Sequence, residues 1–375
     1  MIRMENLKLK TSQLFLIMLL FELGTPVVFN PGLSAKKDAW MVPLLSLLIA
    51  SVLYYIYIRM FKQKMDATLI GYMKLVLGKQ AGSFLGFVYV VYFLYLASRN
   101  IRDYSELLED TILDNTPLFI ISSLMLMTIS YVMWLGGLTL ARMAQIFIVL
   151  NLFMLALMAL FIVFSGIIQM ENIFPVLEDG WGPVLSAIPS AYNFPFAEMI
   201  VFTMFFPYLT NPQSALKIGL IAIWTTGIIL SIILLFDIWV LGANMAGRTN
   251  FPLLTVVRMI NIANFIQRLD PLLILTLIIG VFFKVSIYFY AGMRGAAELF
   301  QVSNHRQLVV PIAVVILYSS LIVSENMADH LKEGLKILPV DVHPVLRIVI
   351  PLLLLAVGFF RHLSLQRKGE RNNEQ

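Results

Sequence analysis

Ten stretches of this chain are apolar nearly end to end, about 11–33, 39–61, 82–101, 117–135, 141–168, 184–207, 215–240, 271–295, 307–324 and 343–361. Crossing the roughly 30 Å hydrocarbon layer of a bilayer takes about 20 such residues in a helix. Inside that layer backbone polar groups are satisfied only within helices or a closed barrel. Barrel strands are segments of about ten residues with alternating polarity, and these runs are longer and uniformly apolar. The chain is therefore expected to be an all-α polytopic membrane protein with about ten transmembrane helices. Its 59% hydrophobic and 13% charged residues agree, since a soluble domain needs about 25% charged residues to cover its surface. The first run has a basic start (Arg3, Lys8, Lys10), and the small residues Ser34-Ala35 follow it, as in a signal peptide. It is too long for one and is interrupted by Gly24-Thr25-Pro26, so it is taken as a span. The connections are too short to fold alone, which leaves one transmembrane domain, residues 1–362, and a polar tail, 363–375.

Several chemistries are excluded at once. With Cys 0 the chain has no thiolate nucleophile or thiolate metal site, and its four histidines (His305, His330, His343, His362) stand at or beyond the edges of apolar runs. No P-loop, metalloprotease or serine-hydrolase motif occurs. No enzyme, metal or cofactor is expected. The net charge of +5 forms no patch for nucleic acid; it is sorted between the two sides of the membrane. One side holds Arg59, Lys62, Lys64, Lys74 and Lys79 in a single connection, with both termini, and is assigned to the cytoplasm by the excess of Lys and Arg. On the other side two segments have apolar residues at helical spacing: 99–114 (Ile101, Tyr104, Leu107, Leu108, Ile112) and 325–338 (Met327, Leu331, Leu335, Leu338). Each is expected as a helix lying on the interface or packed over the bundle mouth, the second being favoured. The stripe Gly78, Gly82, Gly86 is expected to let helices approach closely within the chain.

Two runs carry a break near mid-depth. In the first, Glu22-Leu-Gly24-Thr25-Pro26 combines a residue without side-chain support and one without an N–H. In the sixth, Asn193-Phe194-Pro195-Phe196-Ala-Glu198 does the same. Interrupted helices at matching places in two halves point to a binding site of transporter type, and five spans apart means an inverted repeat, about 11–168 and 184–361. Charges inside spans face the bundle interior and a partner. Lys284 is read as the only basic residue deep in a span, with Tyr288 one turn on, and Glu22 or Glu198 is expected to pair with it. Asp237 is placed at the interface. Half-helix ends suit a zwitterion such as an amino acid, with Tyr92, Tyr95, Tyr288, Phe194 and Phe196 around its apolar part; a sugar or nucleoside would fit the same polarity.

The ten spans, Leu23-Gly24-Thr25-Pro26 with Asn30-Pro31-Gly32, Phe205-Phe206-Pro207, the stretch from Leu108 to Pro117 and the stretch from Asn172 to Pro183 occur together in one family. In their order and spacing the chain resembles, over residues 5–362, the B subunit of spore germinant receptors, the spore-germination permeases of the amino acid–polyamine–organocation superfamily. The resemblance implies two inverted five-helix repeats and a small germinant, commonly an amino acid, held near the breaks of helices 1 and 6. Helices 3 and 8 would contribute. It places Gly24, Thr25 and Pro26 at one break and Phe194 to Glu198 at the other. One departure is Pro26, where many superfamily members have a second glycine and hence another N–H donor. The resemblance also implies a membrane A subunit and a lipoprotein C subunit as partners, in the inner membrane of the spore. A proton- or cation-coupled amino acid transporter and a scaffold for partner subunits are the other expectations.

Overall fold

The computed structural model describes residues 8–373 except 30, 62–65, 263–265, 268 and 325–326, so Arg3, Asn30, Lys62 and Lys64 lie outside the described residues, as do the side chains of Met327, Leu331, Leu335 and His362. The first half consists of α1 (Thr11–Glu22), α2 (Met41–Phe61), α3 (Leu69–Leu77), α4 (Lys79–Thr111), α5 (Leu118–Leu135) and α6 (Gly137–Phe164). The second consists of α7 (Gly182–Asn193), α8 (Ala215–Ala246), α9 (Pro252–Arg258), α10 (Asp270–Leu299), α11 (Val309–Ile322), α12 (Met327–Lys332), α13 (Leu338–Asp341) and α14 (Ile350–Asn373). Among the described residues eight helices are long and apolar enough to cross a bilayer, or nine where the pair Thr11–Glu22 and Thr25–Asp38, bent by 44°, is taken as one span. The remaining apolar run, 184–207, is no single helix: α7 stops at Asn193 and 3-10 turns continue over Phe196–Met204. The protein is an all-α polytopic membrane protein.

Helix α10 is the core of the bundle. Of its apolar window 83% is buried, against 28% for α6 and α11, which therefore present most of their surface to lipid. It packs on α4, α6 and α1, and glycines permit the approach. A Cβ on Gly280 would come within 2.6 Å of Gly24 Cα, and one on Gly295 within 2.7 Å of Val90. The glycine stripe of α4 is likewise an internal seam, because a Cβ on Gly82 would lie 2.5 Å from the backbone of Lys74 on α3. Backbone on the far side cannot yield as a side chain does. Gly82→Ala is expected to cost about 1–3 kcal/mol through forced repacking, read as a lower thermal midpoint of the solubilised chain.

Four expectations are corrected. Segment 99–114 is not a surface element: α4 continues to Thr111 and buries Arg99, Arg102 and Glu106. Arg102 pairs with Glu106 one turn on, so charges that look water-facing in the sequence neutralise each other inside. Asp237 is 1% exposed, within α8. His330 and His343 are buried rather than marginal, and Lys284 shares its depth with Arg347, both at 0% exposure. Of segment 325–338 the described residues, 327–338, lie over the bundle: α12, a π-helical turn over Glu333–Ile337 and α13 cross the end where Arg99 sits. Helix α14 extends through most of the polar tail, to Asn373. The connections 31–38 and 174–179 are tied by Asp38, whose carboxylate accepts Leu177 N–H at 3.0 Å, and by the pairs Lys36–Asp179 (2.6 Å) and Lys37–Glu178. The Lys36 hydrogen bond holds the Asp179 carboxyl below its usual range.

Candidate functional site

The first break forms because Gly24 leaves the helical region (φ −61°, ψ −112°) and Pro26 brings no N–H, so the chain after Glu22 re-forms only as a short 3-10 turn, Thr25–Val27. Gly24 rests against Gly280 of α10. Thr25 Oγ1 donates to Asn100 Oδ1 of α4 at 3.0 Å, and Asn100 Nδ2 donates to Leu96 O at 2.8 Å, which fixes the amide. Glu22, Thr25 and Pro26 are all buried, and Glu22 faces Thr226 of α8.

The second break follows from Pro195, before which Phe194 is extended (φ −130°, ψ 110°). It leaves the carbonyl of Asn193 without a helical donor, and a buried orphan carbonyl is costly unless another group bonds it. Arg347 supplies that group: Nη1 donates to Asn193 O, Nη2 to Glu198 Oε1 at 3.2 Å and Nε to the Tyr92 hydroxyl at 2.6 Å. Lys284 Nζ lies 2.6 Å from the other Glu198 oxygen. Of the two acids considered in the sequence, Glu198 is thus the one paired with Lys284, and it pairs with Arg347 as well. The ammonium of Lys284 also stands over the faces of Phe194 (4.3 Å) and Phe21 (5.2 Å). Tyr288 packs edge-on to Phe21 at 5.2 Å and near Phe93 at 6.4 Å. Phe196 is buried in the turn after Pro195.

Between the breaks lies a cavity of ≈ 50 Å³. Its walls are Phe29 after the first break, Phe194 and Glu198 at the second, Leu96, Arg99, Asn100 and Asp103 on α4, and His330, Gly334 and His343 from the crossing segment. Of the residues singled out in the sequence only Phe194 and Glu198 line it. Glu22, Gly24, Thr25, Pro26, Asn193, Tyr92, Lys284 and Tyr288 form the packed shell behind those walls. The mouth is latched. Arg99 Nη1 bonds Glu333 at 2.9 Å and Nη2 donates to His330 O at 2.7 Å; His330 Nε2 is 2.7 Å from Asp103 Oδ1; Tyr95 donates to Glu333 at 3.0 Å. Gly334 packs under Arg99, since a Cβ there would stand 2.6 Å from Arg99 Nη2 and displace the guanidinium. His343 Nδ1 is 2.8 Å from the Tyr92 hydroxyl, linking mouth to break.

Arg99, Asn100, Asp103, His330, His343 and Arg347 were missed. Arg99 and Asp103 are four apart on one helix face, a signal that extending α4 past residue 101 would have exposed. Arg347 stands among Val345, Leu346, Ile348 and Val349, the pattern that marked Lys284. Arrays of this kind, with charges largely withdrawn from water and set beside broken helices, can hold a small polar molecule by hydrogen bonds and by charge.

A family model described as "Spore germination protein" matches residues 8–328. The chain is 34% identical over 369 residues to Spore germination protein KB of Bacillus subtilis (strain 168), covering 98% of this chain and 99% of that protein. It is 25% identical over 378 residues to Spore germination protein YndE of the same organism, covering 97% and 98%. Among solved structures, MhsT, crystallised in complex with L-phenylalanine, superposes with a TM-score of 0.63 at 14% identity, covering 92% of this chain and 97% of that one. That likeness concerns the fold.

Proposed function

The chain belongs to the spore germination protein family, and from that premise we propose that it is the germinant-sensing subunit of a receptor, binding a small polar molecule in the cavity between the two helix breaks. It is not an enzyme. The observation that carries the reading is the cavity itself, walled by Glu198, Asn100, Asp103 and Arg99 and crossed by a latched segment. The breaks belong to two inverted halves, about 11–168 and 184–361. The Arg59–Lys79 connection lies on the cytoplasmic side with both termini, and the latched mouth opens away from it, toward arriving solute. The ligand is an amino acid or a molecule of like polarity, and binding biases the bundle toward the unlatched or latched state. Membrane A and lipoprotein C subunits in the spore inner membrane relay that bias.

Spores carrying this chain as their one B subunit test the reading. A germinant panel should yield at least one compound whose response is lost or shifted in Phe194→Ala and Asn100→Leu, two cavity walls, at unchanged protein level. A panel response indifferent to both substitutions removes the site from consideration. The buried pair of Glu198 with Lys284, with a second buried acid, Glu22, at the neighbouring break, favours a second reading, a proton- or cation-coupled amino acid transporter. Uptake of labelled amino acid by reconstituted protein, lost in Glu198→Gln, would establish it.

A further inference from the structure

Where a membrane helix stops inside a bundle, its last carbonyls and a nearby carboxylate form the usual holding place for an inorganic cation. The end of α7 has both parts, the freed carbonyl of Asn193 and the carboxylate of Glu198. A side chain fills the place between them. Arg347 is fully buried, and its guanidinium reaches Asn193 O, Glu198 Oε1 and the Tyr92 hydroxyl together. Its backbone is pinned as well, because the Tyr57 hydroxyl donates to Arg347 O at 2.7 Å. A guanidinium is permanently charged and offers donors in a rigid planar fork, so it can satisfy a carbonyl and a carboxylate at once.

We propose that Arg347 is a built-in cation: it occupies, at the break of the sixth span, the position of a mobile alkali cation, and the adjoining cavity takes its ligand without a co-bound metal ion. A tethered cation cannot be diluted away. The site therefore keeps one electrostatic state whatever the sodium or potassium level outside, whereas a mobile ion would stabilise the fold in proportion to its concentration. A sensor that must answer to its ligand alone is served by this; a carrier driven by an ion gradient is not. The inference rests on the reading of the cavity as a ligand site, but its test requires no ligand.

The full chain, purified in detergent, is heated in sodium, potassium or choline chloride at equal ionic strength. The unaltered protein should show one midpoint in all three. Arg347→Ala should melt lower and regain part of the loss, saturably, with sodium or ethylguanidinium and not with choline. Arg347→Lys, charged but without the fork, should fall between them and ignore sodium. Should Arg347→Ala fail to fold, Arg347→Gln retains bulk and is expected to show the same rescue. A saturable sodium or potassium shift in the unaltered protein overturns the proposal. So does an Arg347→Ala or Arg347→Gln midpoint that no small cation raises above its value in choline. A flat midpoint with full rescue, in a protein that no germinant engages, would instead remove the receptor reading and leave the built-in cation standing.

Discussion

Glu198→Ala is expected to cost the folded chain about 3–5 kcal/mol, the loss typical of removing one partner from a buried ion pair. The cause is not the attraction forfeited but the charge left behind. Lys284 and Arg347 both stand at 0% exposure with Glu198 as the carboxylate between them, and taking it away leaves two desolvated cations near each other. Melting of the solubilised protein, together with its yield in membranes, reads the effect. Glu178→Ala is the contrast: its partner Lys37 and its own carboxylate are open to water, and such changes fall within about 0.5 kcal/mol.

Breaking the triad and replacing it are different experiments. A buried ionic cluster exchanged for apolar groups of similar volume is often neutral or stabilising. Glu198→Leu, Lys284→Met and Arg347→Met together should therefore recover most of the stability that Glu198→Ala loses. If the cluster exists for ligand recognition, the same triple variant stays silent to every germinant although it folds. Stability regained with response still absent separates function from architecture, which no single substitution here can do.

The spans and both breaks were legible because they depend on local chemistry. Twenty apolar residues, a glycine without a side chain and a proline without a donor act where they stand. Glu198 and Lys284 were visible for the same reason, as charges inside apolar runs. Other parts of the site depend on partners far away in the chain. Arg99 and Asp103 look like the wet end of a helix until Glu333 and His330, more than 200 residues on, are found to meet them. Arg347 lies four residues into the apolar run 343–361, where a charge reads as sitting at the membrane edge. The π-helical turns over Glu333–Ile337 and Val345–Val349 carry the chain inward there, and nothing in local propensity announces such turns.

Bridging residue 103 to residue 330 should silence the protein reversibly. The chain has no cysteine, so Asp103→Cys with His330→Cys introduces the only two thiols, on α4 and on the segment that crosses the mouth. A short bis-methanethiosulfonate reagent, which joins each thiol through a disulfide and releases sulfinate, holds the mouth shut, and because apparent affinity scales with the fraction of molecules competent to bind, response to germinant should vanish and return on reduction. Each single cysteine treated alike forms no bridge and leaves the mouth free to open, so the reagent should change its response far less than it changes that of the double variant. The converse change is Arg99→Ala, which removes bonds to Glu333 and to the His330 carbonyl. Hydrogen bonds to charged groups are worth about 1.5–3 kcal/mol, so the open population should rise roughly ten- to hundredfold. Modification of Asn100→Cys by a water-soluble thiol reagent should accelerate by that factor. If the bridge leaves the response intact, solute reaches the cavity by some route other than the one that Arg99, Asp103 and His330 close.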